Sequence, residues 1–319
     1  MLSRVADALF WMSRYLERAE QVARLLDVCF HLELDLHGVL AGPHEVHWTS
    51  LATILQQVVP AEKQAERGPQ AFISHWLSFD LDNPSSIMSC VTRARSNART
   101  IRGTINSQMW KELNKLYWQL CDPEFTSLAS ESPHEFYLAV ECGSHVFQGV
   151  CDATLTRDEG WQFIQLGKFL ERADKTLRIL DIHYQLLRDM TGPTDLPMTN
   201  LQWAGVLRSC RAYEAYQRLY VGRVDPDRVL EFLLLQSSFP RSARFCLEKA
   251  AEALKAIEAP ASDGALSKAG HLLGRLLSEL RYGEIEQILR GGLHAFLGRI
   301  LEGCTRIGGT IQDQYSLRS

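Results

Sequence analysis

No apolar stretch in this sequence is long enough to cross a bilayer. The longest, Val229 to Leu235, is broken by Glu231 and falls far short of the roughly 20 residues that a spanning helix needs. No secretory leader is read at the amino terminus, because Asp7 interrupts it before any apolar core can form. The eight cysteines (Cys29, Cys90, Cys121, Cys142, Cys151, Cys210, Cys246 and Cys304) include no CxxC pair. That scatter argues for buried, reduced thiols and a cytoplasmic location, against a disulfide framework or a zinc site. Glycine-rich phosphate loops, zinc motifs and nucleotide-binding fingerprints are also missing, so no cofactor and no metal is expected. His44-Glu45-Val46-His47 offers too few ligands to change this. Neither sign of charge dominates: 34 Lys and Arg against 38 Asp and Glu leave −4, which provides no global field for nucleic acid or an anionic membrane. Period-two strand patterning is absent throughout.

What the sequence does contain is a string that occurs twice. Arg14-Tyr15-Leu16-Glu17-Arg18-Ala19-Glu20, running on through Arg24 to Asp27, returns 154 positions later as Lys168-Phe169-Leu170-Glu171-Arg172-Ala173-Asp174, running through Arg178 to Asp181. Trp48 recurs as Trp203, and Pro84-Ser85-Ser86 as Pro240-Arg241-Ser242. Gly143-Ser144-His145 aligns with Gly292-Leu293-His294 if a short deletion is allowed. Echoes in one order predict a tandem duplication, with halves at 1–153 and 154–319 forming one compact helical unit. Helical spacing predicts long helices from Val5 to about Leu36 and from Trp161 to about Met190. Both are apolar at places all round, as inner helices of a bundle are. The fold class is therefore all-α, an internally duplicated bundle with two central Glu-Arg helices.

Several charged groups are candidates for function. Arg14, Arg18, Lys168 and Arg172 flank Glu17 and Glu171; pairs such as Glu20 with Arg24 have ordinary helix-surface spacing, yet they sit on helices whose flanks are apolar. Either a structural charge cluster across a pseudo-two-fold axis or a ligand site accounts for this. Asn83 as cap and Pro84 as first residue open a helix reaching about Asn106, which places Arg95, Arg99 and Arg102 on one face. Three guanidinium groups so arranged suit a phosphate or carboxylate. The positions 156 later are Ala251, Lys255 and Glu258, so this stripe belongs to one half only. Arg241 and Arg244, at the start of the helix opened by Pro240, form a second candidate anion site. His145 and His294 read as hydrogen-bonded core histidines.

The strings Phe10-Trp11 with Arg14 to Glu20, Asn83-Pro84-Ser85-Ser86, Arg95 to Arg102, Arg157-Asp158-Glu159-Gly160-Trp161, Gly167 to Ala173 and Phe239 to Phe245 resemble the bacterial alpha-E family over essentially the whole chain. Ser13 stands where that family more often has glycine, and Ser96 where it has glutamate, which puts a catalytic acid on the arginine face in doubt. The resemblance implies an all-helical protein that accompanies a circularly permuted ATP-grasp ligase in peptide synthesis or modification. Two functions follow from it. One is an accessory or substrate-presenting subunit that binds an anionic small molecule or peptide through its arginine faces. The other is an enzyme acting on a peptide or acyl-phosphate, with Glu17 or Glu171 as acid/base. The sequence contains no nucleophile at a readable spacing.

Overall fold

The computed structural model describes residues 1–39, 48–55, 68–189, 196–259 and 267–316. Among these residues every regular element is a helix. They group into two compact units: Trp11–Thr156, and Arg157–Ser319 together with Met1–Phe10.

The helices of the first group are α1 (Ser3–Val39, whose first turns belong to the other group), α2 (Trp48–Ile54), α3 (Pro69–Ser78), α4 (Ile87–Thr100), α5 (Ser107–Cys121), α6 (Pro123–Glu131) and α7 (Pro133–Thr154). α4 packs on α5, α5 on α7, and α6 on α7. Met109, Leu113, Leu116 and Leu120 of α5 are buried, three- and four-residue steps that give one apolar face. The second group holds α8 (Glu159–Asp189), α9 (Leu196–Ser209), α10 (Tyr213–Leu219), α11 (Pro226–Leu235), α12 (Ala243–Glu258), α13 (Lys268–Arg281), α14 (Ile285–Gly291) and α15 (Leu293–Ser316). Here α12 and α15 pack on α8, and α13 packs on both of them. Its α13 buries Ala269, Leu273, Leu276 and Leu280 at the same steps as α5.

The helix starts correct the sequence reading. Ser86, not Asn83, caps α4, accepting from the Ser89 N–H at 3.0 Å, while the Asn83 side chain closes the preceding turn on the Ser85 N–H. Ser242 caps α12 in the same way, through the Phe245 N–H at 3.1 Å. Below the caps the Cys90 thiol donates to the Pro84 carbonyl and the Cys246 thiol to the Pro240 carbonyl. These bonds repeat at a constant offset of 156 because a serine cap three residues ahead of a free N–H satisfies an otherwise orphaned donor. Arg241 thus precedes the helix, and Arg244 is its second residue.

The helix expected to reach about Asn106 ends earlier than its spacing predicts. α4 stops at Thr100 in a turn through Ile101, so Arg102 is off the helix. α9 and α10 are separated where Arg211 takes a φ of 49°, and α14 and α15 at Gly292, φ 93°. α6 has no counterpart in the sequence reading, although Asp122 caps it and Pro123 opens it. The loops at 43–47 and 191–195 lie outside the described residues.

Two glycines show where packing is tight. A Cβ on Gly143 would meet Leu116 at 2.9 Å, and one on Gly303 would meet Leu276 at 2.6 Å. These contacts repeat at an offset of 160, as do the buried positions of α5 and α13. The matching contacts therefore stand 160 positions apart, whereas pairing His145 with His294 gives an offset of 149. Gly303→Val is expected to destabilise its unit by about 1–3 kcal/mol through overpacking. Gly298→Ala, on the exposed side of the same helix with nothing within 4 Å, is expected to stabilise it by about 0.5–1 kcal/mol. Denaturant melts of both variants check the pair of signs.

Candidate functional site

The repeated string is buried. Glu17 is 1% exposed, Glu20 0% and Arg24 1%, so the ladder with surface spacing lies inside the protein. Arg24 donates from Nη1 to Glu20 Oε1 at 2.9 Å and from Nη2 to Gln21 Oε1, and Glu141 Oε2 of α7 stands 3.7 Å from Nη1. The Ser144 hydroxyl donates to Glu20 Oε2 at 2.8 Å. Gln148 donates to Glu20 and Glu17 at 3.1 and 3.3 Å. His145 Nε2 lies 3.2 Å from Glu20 Oε1, with its side chain 49% exposed. His145 is therefore no core histidine: a buried carboxylate orients a ring that reaches solvent, an arrangement able to shuttle a proton.

The matching stretch of α8 solves the same burial problem with different residues. Arg178 makes two bonds of 2.9 Å to Asp174. Lys175, which stands where the first unit has Gln21, is 3.1 Å from Asp174 and 3.6 Å from Glu171. Burial alone would raise the Asp174 pKa, but the Lys175 charge and the Arg178 bonds and charge overcome it against opposition from Glu171, and the carboxyl titrates below its ordinary value. Glu171 and Asp174 here meet Lys175 and Arg178, whereas in the first unit Glu20 and Glu141 meet Arg24. Position 301, which matches Glu141 at the offset of 160, is leucine.

The remaining candidates are placed as follows. Arg14 lies over the Trp11 ring at 4.8 Å and Arg18 over Tyr15 at 5.8 Å. Lys168 lies over Phe169 at 4.8 Å, and Arg172 donates to the Pro240 carbonyl at 3.4 Å. Arg244 bonds Glu248 at 3.2 Å, one turn on in α12. An acidic side chain thus takes the place offered to an exogenous anion there. Arg241 is buried, and its carbonyl accepts from the Thr176 hydroxyl at 2.9 Å. Cys121 and Cys142 are exposed, contrary to the expectation that the thiols are buried.

Arg95 and Arg102 meet through aromatic rings, a feature that the sequence reading missed. The Arg95 guanidinium lies 4.3 Å from the Tyr117 centroid and 5.6 Å from those of Trp110 and Trp118, and its Nε donates to Asn114 at 2.6 Å. Arg102, in the turn after α4, lies over Trp110 at 5.0 Å. Arg99 is exposed between them. Trp110, Asn114, Tyr117 and Trp118 fall at helical steps on the half-buried flank of α5 beside its buried leucines, a signal readable from spacing alone. The Tyr117 hydroxyl titrates above the ordinary value, chiefly through its hydrogen bond with Cys121 and with Arg95 opposing, so the ring stays neutral beneath the cation. Among the described residues none of the three arginines forms an ion pair.

These features define an all-helical protein with a buried Glu-Arg helix in each of two units and an arginine and aromatic ledge in one of them. The chain belongs to the Alpha-E family, described as "a predicted alpha-helical domain with a conserved ER motif", which matches residues 1–315. It is similar to an uncharacterised protein of Mycobacterium bovis and to two of Mycobacterium tuberculosis, at 26% identity over 318 residues in each case. The match takes in 94% of this chain but only 35% of each relative, so the chain spans about a third of their length. No solved structure matches. None of the described helices is long and apolar enough to cross a membrane.

Proposed function

We propose that this chain is a substrate-presenting accessory subunit of an ATP-grasp-type peptide ligase, and that it holds a carboxylate-bearing peptide on the ledge formed by Arg95, Arg99, Arg102 and the aromatic face of α5. The observation that carries this reading is the setting of Arg95. Stacking on Tyr117 and the bond to Asn114 fix the plane of its guanidinium. Its two Nη groups bond nothing among the described residues. A planar cation held in place with two parallel donors free suits a carboxylate or phosphate. The positions matched in α12 are Ala251, Lys255 and Glu258, so the second unit carries no such face.

Two further points support the reading. The resemblance to the alpha-E family implies an ATP-grasp partner, and the mycobacterial relatives carry the matched region within chains almost three times as long, as a region that works beside others would be. The matched capping and packing contacts support descent of both units from one duplicated ancestor. In this reading Glu17 and Glu171 each support the fold of their own unit and take no part in chemistry.

Turnover of the partner ligase, with and without this chain, tests the proposal. The Glu17→Gln, Glu171→Gln double variant is expected to restore turnover as the parent does, while Arg95→Gln restores little. Loss of turnover in a folded double variant would return the carboxylates to the catalytic list.

A further inference from the structure

Away from the ledge, α1 and α7 bring two imidazoles onto one carboxylate. Asp27 and His31 are four residues apart on α1 and so share a face, while His134 is the second residue of α7. His134 Nδ1 lies 2.9 Å from Asp27 Oδ1 and His31 Nδ1 lies 3.5 Å from the same oxygen. The two rings stand 5.0 Å apart at 87°. One ligand atom from each of the three residues lies within 4.8 Å of the others.

We propose that Asp27, His31 and His134 bind a single divalent cation of the zinc type. With bonds of about 2.0–2.1 Å, the ligand atoms of a tetrahedral zinc site lie roughly 3.3 Å apart, and the two distances to Asp27 Oδ1 bracket that value. Two imidazoles with one carboxylate select zinc or a neighbouring first-row metal, whereas calcium and magnesium take sets of oxygens. The burial is graded in the sense such a site needs. Asp27 is 7% exposed, while the histidine side chains are 48% and 54% exposed, so the carboxylate forms the floor and the rings form a mouth open to water as fourth ligand. Without metal the His134 Nδ1–H donates to the carboxylate and the His31 Nδ1–H to the Asp27 carbonyl at 2.8 Å. Binding through these nitrogens shifts each ring to the tautomer that carries its proton on Nε2.

The second unit supplies an internal comparison. Its Asp181 Oδ1 lies 2.6 Å from His294 Nδ1, at the second residue of α15, in the same relation as Asp27 to His134. The place of His31 is taken by Gln185, whose amide nitrogen donates to Asp181 Oδ2 at 3.0 Å. An Asp-His bond that pins a helix start is thus common to both units, and the second imidazole is found in one. The cation site belongs to the unit that has it.

Calorimetric titration of the chelator-treated, dialysed chain with zinc chloride tests the inference, and cobalt(II) absorption reads the geometry. The parent is expected to take up one equivalent and to give the visible bands of four-coordinate cobalt. His31→Gln, which copies the composition already accommodated in the second unit, and His134→Gln are each expected to weaken binding at least tenfold. Circular dichroism confirms that each variant is folded. Absence of saturable zinc binding by the parent, or retention of parental affinity by either folded variant, would overturn it.

Discussion

Arg24→Met is expected to cost about 3–5 kcal/mol, the loss typical of removing one partner from a buried ion cluster. Arg24 is 1% exposed, and Glu20, Gln21 and Glu141 all converge on its guanidinium. A methionine of similar reach fills the space but leaves two carboxylates fully out of water with their main cation gone. The carboxylates then take up protons or draw water in, and either response loosens the contact of α1 with α7. Adding Glu20→Gln should recover part of the loss, because the second substitution removes one of the stranded charges and leaves an amide that Ser144 and Gln148 can still bond. Denaturant melts of the single and double variants measure the coupling. Equal stability of Arg24→Met and the parent would show that the cluster adds nothing to the fold.

Asp174→Asn is expected to cost about 2–4 kcal/mol at neutral pH, somewhat less than a fully buried break because 13% of the Arg178 side chain reaches solvent. The variant should also change the response to acid. The Asp174 carboxyl is held below its ordinary pKa in the folded chain, so its contribution is complete above the unfolded pKa, about 3.9. It is lost as pH falls through the lower, folded value. The parent is therefore expected to lose stability steeply below about pH 4, and Asp174→Asn to show a shallower acid limb from a lower plateau. Thermal melts across pH 2 to 7 would separate them, and identical acid limbs would remove Asp174 from the cause.

The helical class and the repeat of the Glu-Arg string were legible because both rest on spacing, and spacing survives in a linear text. Met109, Leu113, Leu116 and Leu120 announce a buried face whatever packs on it. Element ends were less legible. Asn83, Ser85 and Ser86 are all competent caps by type, and the choice falls to Ser86 because Asn83 is engaged in the preceding turn and bonds the Trp76 carbonyl. Surface and buried charge could not be told apart by the i, i+4 rule, which holds for both. Glu20 with Arg24 is a surface pair by spacing and a core pair by its contacts with Ser144 and Glu141 of α7. The pairing of His145 with His294 misled for a related reason: flanking glycines matched, while the helix position that fixes the contact, second residue in α7 and α15, is shared by His134 and His294.

The ledge was half legible. Three arginines at helical spacing are visible in the text, but Arg102 leaves the helix, and what joins it to Arg95 is the Trp110 ring of another helix. Once α5 is known to bury its leucines, the flank beside them, with Trp110, Tyr117 and Trp118, becomes the floor beneath the arginines.

The central claim is that this face binds a carboxylate-bearing ligand while the buried Glu-Arg cluster only supports the fold. Titrating the chain with an oligoglutamate peptide, followed by the emission of the tryptophans under Arg95, tests it most directly, with Arg95→Gln and Glu17→Gln measured in parallel. The account predicts saturable binding by the parent, a loss of roughly ten- to a hundredfold in Arg95→Gln from one charge-assisted bond, and parental affinity in Glu17→Gln. Equal affinity in Arg95→Gln and the parent, or a loss confined to Glu17→Gln, would contradict it.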